Sequence, residues 1–408
     1  MSRVDAVLLL GVVALQPACP LEAPRCEQRW AASIPLGTVP NDVALGECGG
    51  APVALVPASG DARLDVLELP CGELRASVLF APEGERAATP WAVAVDGERA
   101  WVTLQGHDEV ALVDYCAGEV LARVRAAEVL ELVEPLRLSA PQDVDGDGTP
   151  EIEVRRMLPR APQAVVAAGG VAVLAYTNLL EPGLAVDRPP VLGPGLLARF
   201  DGEATSFAPH TVVLPCTNPQ GLAWHDEALW VSCTGPLGPT NDATVAALGV
   251  GALVRVDPVT LATLEEVAAG SFAPGTPAIL DTVLSGEVLV VGSLLRPALA
   301  RVADGWLVET AIGGAAVDSI FECARMDAAV GARAVCTHFS GDRLLVVDDP
   351  IDSLHVAAEL PVGAGSAVFR GAQAVALGTP AARARGVGAA VVLGLSAELA
   401  LLPVEVLP

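Results

Sequence analysis

The residues best spaced for chemistry are Asp143-Val144-Asp145-Gly146-Asp147-Gly148-Thr149-Pro150-Glu151. They put carboxylates at positions 1, 3, 5 and 9 of a tight loop, with glycine at position 6. Three alternating aspartates can fold around one ion because Gly148 permits the sharp turn this requires. The Thr149 carbonyl can then turn inward, and Glu151 can bind directly or through water. Hard oxygen ligands in this number favour calcium over a transition metal. Asp143, Asp145, Asp147, Thr149 and Glu151 are therefore expected to bind calcium, with a solvated acidic turn as the alternative. An ion there would order its segment, and the spacing supplies no catalytic group.

Cysteine is the second chemistry. Arg3, the apolar stretch Ala6 to Leu15 and then Gln16-Pro17-Ala18-Cys19 have the order of a secretory signal. The stretch is too short to span a bilayer. Residues 1–18 are read as a signal and 19–37 as an N-terminal segment. Cys19, preceded by Ala18 and Leu15, resembles the lipidated cysteine of bacterial lipoproteins; ordinary cleavage or a disulfide are the alternatives. Setting Cys19 aside leaves Cys26, Cys48, Cys71, Cys116, Cys216, Cys233, Cys323 and Cys336, and an even number in an exported chain predicts disulfides. Cys216 and Cys233 flank one hairpin, and Cys323 and Cys336 another. Cys48, Cys71 and Cys116 fall in the first two repeats, where a bond would staple blade to blade and leave Cys26 to anchor the N-terminal segment. No C-x-x-C spacing occurs, which argues against zinc and dithiol redox work.

Little else has the spacing of a site. Of five histidines, His107 and His225 stand beside acids in what read as similar hairpin turns, where polar turn chemistry explains them. No G-x-S-x-G, H-E-x-x-H, Walker or G-x-G-x-x-G setting appears. A longer polar loop from Thr234 through Asn241 and Asp242 is the best sequence candidate for ligand contact. An enzyme would need His, Glu and Asp converging near a channel.

The elements that must position these groups repeat. Pro40-Asn41-Asp42-Val43-Ala44, Pro90-Trp91-Ala92-Val93-Ala94, Pro162-Gln163-Ala164-Val165-Val166, Pro219-Gln220-Gly221-Leu222-Ala223 and Pro277-Ala278-Ile279-Leu280 each open an apolar run. Degenerate copies stand near Ala316 and Ala372, giving about seven units of roughly 40 to 58 residues. In the second unit Ala92–Val95, Trp101–Leu104, Val110–Asp114 and Val120–Val124 alternate with tight turns, which makes one four-stranded blade. The expected fold is all-β, a single seven-bladed β-propeller over residues 38–408. Trp101 and Trp230 occupy equivalent places, as core packing rather than a ligand platform. Residues near Trp30 to Leu36 would add the outer strand that closes the last blade, since an open edge invites aggregation. Residues 126–160 exceed what a blade requires, and this insertion carries the acidic loop.

Pro90-Trp91-Ala92-Val93-Ala94, Trp101-Val102-Thr103, the Gly106-His107-Asp108-Glu109 turn and Val110-Ala111-Leu112-Val113-Asp114 resemble the YVTN-type repeat of bacterial surface propellers. Leu229-Trp230-Val231-Ser232 with Val254-Arg255-Val256-Asp257-Pro258 is similar to repeats of streptogramin-lyase-like propellers. The acidic loop departs from an EF-hand, because Val154 stands at position 12. It resembles the calcium loop of FG-GAP or VCBS repeats, where the ninth residue is acidic and an alternating strand such as Ile152-Glu153-Val154 follows. These motifs mark a scaffold, so the resemblance implies fold more strongly than activity. Such families contain binding proteins and a minority of lactonases or lyases.

Forty-nine acids against 24 bases leave a formal charge of −25, which repels nucleic acid and anionic lipid and favours cations or basic partners. Every base is arginine, a composition that reads as codon bias in a GC-rich genome. The expectation is a monomeric, calcium-stabilised, extracytoplasmic protein in periplasm, at the outer membrane surface or secreted. It would touch a membrane only through a lipid anchor and bind a protein or small-molecule ligand as a binding or scaffold protein. The alternative is a lactonase- or lyase-like enzyme acting at the ring axis.

Overall fold

The computed structural model describes residues 34–81, 88–125, 159–181, 191–201, 210–225, 227–239, 245–282, 286–312, 319–326, 333–348, 354–362, 369–377, 390–394 and 398–402. The acidic loop 143–151, the expected signal 1–18, Cys19, Cys26, Asn241 and Asp242 lie outside them.

Seven four-stranded antiparallel sheets form a seven-bladed β-propeller. Blade one comprises Ala44–Cys48, Ala51–Ala58, Arg63–Glu68 and Glu73–Leu79, and blade two Pro90–Asp96, Arg99–Leu104, Glu109–Asp114 and Glu119–Arg125. The inner strands of blades three to seven are Pro162–Ala168, Pro219–His225, Ala278–Thr282, Ile320–Arg325 and Ala372–Leu377. Two short hairpins, Leu179–Glu181 with Val191–Leu192 and Leu237–Pro239 with Val245–Ala247, extend blades three and four.

Sequence pattern follows depth in the blade. All six residues of Ala228–Cys233 are buried, because a second strand is covered by a neighbouring blade on each face. Outer strands alternate, as in Glu119–Arg125, where the even-numbered residues are half-buried and the odd-numbered ones exposed. The core is consequently a ring of inter-blade seams. Val53 and Leu55 of blade one pack with Val93 and Val102 of blade two, and each later pair of neighbours has its own apolar cluster. The last seam joins Val391 and Leu399 to Ala54 and Val56, through Ile34. Ile34–Pro35 pairs antiparallel with Glu398–Leu402, so the first described residues supply the outer strand of the last blade.

Disulfides reinforce this plan. Cys48–Cys116 ties blade one to blade two, and Cys323–Cys336 joins directly paired residues within blade six. Cys216, in the connection ahead of blade four, bonds to Cys233 on its second strand. Cys71 is also disulfide-bonded, to a partner outside the described residues. Three described disulfides are the chemistry of an oxidising, extracytoplasmic environment. Trp101 and Trp230 are both buried, and the Trp230 indole donates to Glu287 of blade five at 2.8 Å.

Candidate functional site

Because strands alternate in direction within each blade, all seven inner strands run the same way along the axis. They begin at one face, here the upper, where the turns between second and third strands also lie, and end at the lower. Together they enclose a cavity of about 970 Å³.

One recurrent irregularity builds its wall. Val39, Thr89, Ala161, Asn218 and Ala273 all have φ between +52° and +55°, and each precedes a proline. The proline lacks an N–H and sits at the first position of a strand or bridge, the place a ladder tolerates it. Pairing then skips before regular register begins, in blade two between Pro90 and Val93, in three between Pro162 and Ala164, and in four between Pro219 and Gly221. Blades six and seven skip likewise after Ile320 and Ala372. A bulge re-aims the residue it leaves unpaired, and Trp91, Gln163, Gln220, Glu322 and Gln373 all line the cavity. Asp42 and Thr276, ahead of the first and fifth inner strands, complete one contribution per blade.

Blade five corrects the sequence reading. Its turn falls at Ala273-Pro274, with Pro274 bridged to Ser293, so Pro274-Gly275-Thr276 is the equivalent of the other openings. Pro277, taken as the opener, immediately precedes the regular strand.

An amide chain runs round the upper rim across blades two to four. Gln105 donates to Gln163 at 2.5 Å, Gln163 to Gln220 at 3.0 Å, and Gln220 to Asn218 at 2.6 Å. Asn218 donates in turn to the Thr234 hydroxyl at 2.7 Å. Thr234 is thus fully buried behind the rim, bonded to Asn218 and Gly235, and braces the wall from outside the cavity.

Opposite this arc stand two carboxylates. Asp42 accepts from Val43 N–H at 2.7 Å and from Val93 N–H of blade two at 2.8 Å. Both it and Glu322 keep some surface on the cavity while protein surrounds them. This depth desolvates Asp42 and pushes its pKa up to about 6 against the lowering effect of the two N–H groups. Burial also raises Glu322, and the Asp42 charge raises it further, while the Val375 N–H of blade seven opposes both. No described cationic side chain pairs with either acid. Both carboxyls are thus held above their ordinary range, by burial first and, for Glu322, by the Asp42 charge as well.

Histidine lies elsewhere. His225 ends the inner strand of blade four, so it reaches the cavity at its lower end. Its Nε2 is 2.8 Å from Asp281 Oδ2 of blade five, and Arg325 of blade six donates to the same oxygen at 2.8 Å while also contacting the ring. The histidine hydrogen bond and then the arginine charge hold the Asp281 carboxyl below its ordinary range. His107 occupies the turn between second and third strands of blade two, on the upper face, so it and His225 are not in equivalent turns. The difference arises because the His107 turn follows the second strand of its blade, whereas His225 is the last residue of the first strand of its own.

The sequence reading missed the cavity residues. Their signal was present: in blades two, three and four the cavity residue directly follows the opening proline, as Trp91, Gln163 and Gln220 do. Trp91 and Trp224 line the cavity and are half-buried, unlike the packed Trp101 and Trp230.

No family model matches the chain, and no curated protein matches it in sequence. Solved structures match in fold. Kuenenia stuttgartiensis hydrazine synthase is 10% identical with a TM-score of 0.57, over 90% of this chain and 96% of that one. Virginiamycin B lyase from Staphylococcus aureus is 10% identical with a TM-score of 0.57, over 90% and 97%. The β-propeller domain of Myceliophteria thermophila Cps50 (Swd1) is 12% identical with a TM-score of 0.53, over 91% and 99%. At such identities the likeness is one of fold.

Proposed function

We propose that this protein is an exported binding propeller of the cell envelope that takes a small ligand into its central cavity. One observation carries the reading: every blade sends a side chain into that cavity from its upper opening, five of them from bulges in the inner strand. A cavity of this size with a few convergent polar groups and displaced pKa values is the usual form of a small-molecule site. Export is supported by the disulfides and the apolar N-terminal stretch. Cys19 would carry a lipid anchor, and the Asp143 loop would hold calcium and order the insertion.

The second reading, an enzyme, is favoured by Asp42, Glu322 and His225 lining one cavity. The acids and the histidine stand at opposite ends, however, and no described Ser, Cys, Lys or Tyr lines the wall. Acid–base work needs its groups within reach of one reacting atom, so binding keeps the lead.

The test is a thermal-shift screen of organic cations, sugars and organic acids, with hits measured by calorimetry on Gln163→Ala and Trp91→Ala. Channel binding predicts at least a tenfold loss of affinity in one or both variants. Hits that bind both variants as tightly as the parent would place the ligand elsewhere, and a screen without hits would refute small-molecule binding.

A further inference from the structure

We propose that the ligand of this cavity is an organic cation, its ammonium group taken between Asp42 and Glu322 beside the Trp91 indole. The inference rests on the channel reading above and specifies its chemistry.

The charge inventory of the wall is one-sided. Asp42, Glu322 and His225 are the described ionisable groups that line the cavity, and none of the chain's 24 basic residues is among its described lining residues. His225 is committed at the lower end to Asp281 and Arg325. Both acids therefore line one cavity with backbone N–H groups as their described hydrogen-bond partners, Val43 and Val93 for one and Val375 for the other. Buried carboxylates without a cation are costly, and a ligand that supplies the missing positive charge relieves that cost.

The neighbours fit an organic group better than a metal ion. Trp91 lies two residues before Val93, whose N–H binds Asp42, so indole and carboxylate belong to one seam. Trp224 lines the same cavity. An indole face attracts an alkylammonium and excludes the water a hard metal ion keeps. Among the described residues no three His, Cys, Asp or Glu side chains converge as a metal set. The remaining wall, Gln163, Gln220 and Gln373, offers neutral amide groups to the rest of such a molecule. A chain of charge −25 also draws cations towards any opening it has.

Isothermal calorimetry on the full chain would use choline, tetramethylammonium and 1,4-diaminobutane as probes, with 3,3-dimethyl-1-butanol as the neutral carbon isostere of choline. The expected result is one cation bound per chain, an isostere at least tenfold weaker, and at least a tenfold loss in Glu322→Gln. Titration near pH 6 in two buffers of different ionisation enthalpy should show a proton released, because Asp42, raised by burial to about 6, ionises when the cation binds. Calorimetric unfolding of Glu322→Gln in parallel confirms that the variant is folded, and Asp42→Asn provides the second route if it is not.

Equal affinity for choline and its isostere would overturn the inference and leave the channel reading intact. Cation binding unchanged in both acid variants would overturn it as well, by placing the cation outside the cavity. Binding of calcium chloride alone, lost in Asp42→Asn, would replace the organic cation with a metal. Absence of binding by all three cations would refute it, whatever neutral compounds the screen finds.

Discussion

Replacing Asp42 with asparagine should change how stability depends on pH more than it changes stability itself. Burial raises this carboxyl from an ordinary 3.8 to about 6 in the folded protein. Between those values the folded state holds more protons than the unfolded chain, so stability falls as pH rises through the window. Two pKa units at about 1.4 kcal/mol each make the loss roughly 3 kcal/mol between pH 4 and pH 7. Asparagine cannot ionise, and it removes the charge that raises Glu322. It also accepts one fewer N–H bond, leaving Val43 or Val93 short by about 1 to 2 kcal/mol at every pH. The variant should thus be less stable than the parent at pH 4 and about 1 to 2 kcal/mol more stable at pH 7. Carboxyls held low, such as Asp61 by Thr38 and Asp281 by His225, contribute stability that is lost below about pH 4, outside this window. Urea unfolding at several pH values, followed by tryptophan fluorescence, would read the slope. A variant with the parent's slope would show that Asp42 is not desolvated, and the reasoning about the carboxyl pair would fall with it.

Other expectations concern closure and the staples. Cys48→Ala with Cys116→Ala opens a cross-link spanning 68 residues, worth about 4 kcal/mol by chain entropy, whereas the 13-residue span of Cys323 and Cys336 is worth about 3. Paired denaturation curves would read that order. Ile34→Ala removes a buried side chain from the seam that closes the ring, and about 2 to 4 kcal/mol should be lost in the same assay. Calcium at about 1 mM, bound with a dissociation constant of roughly 10 to 100 μM, would add on the order of 1.5 to 3 kcal/mol. Calorimetry with calcium and with chelator should therefore show a rise in Tm that Asp145→Ala abolishes.

The amino-acid sequence by itself determined the repeat, the strand order within a blade and a count of about seven units, which the structure fixes at seven blades. These follow from local causes, namely alternating burial, tight turns and an apolar run after each opening. It also located the closing strand near Ile34, because an unpaired edge has a general cost. Periodicity could not locate the site. Residues 42 and 322 are 280 positions apart, and no spacing rule joins them. They line one cavity because blade seven alone separates blades six and one once the ring is closed by Ile34–Pro35. Gln163 and Gln220 likewise read as ordinary strand starts. A bulge at each opening, set by a left-handed residue before proline, turns them to the axis. The sequence carries the identity of the polar groups, while circular closure brings groups from distant blades into one low-dielectric space and thereby determines which carboxyls are raised above their ordinary range.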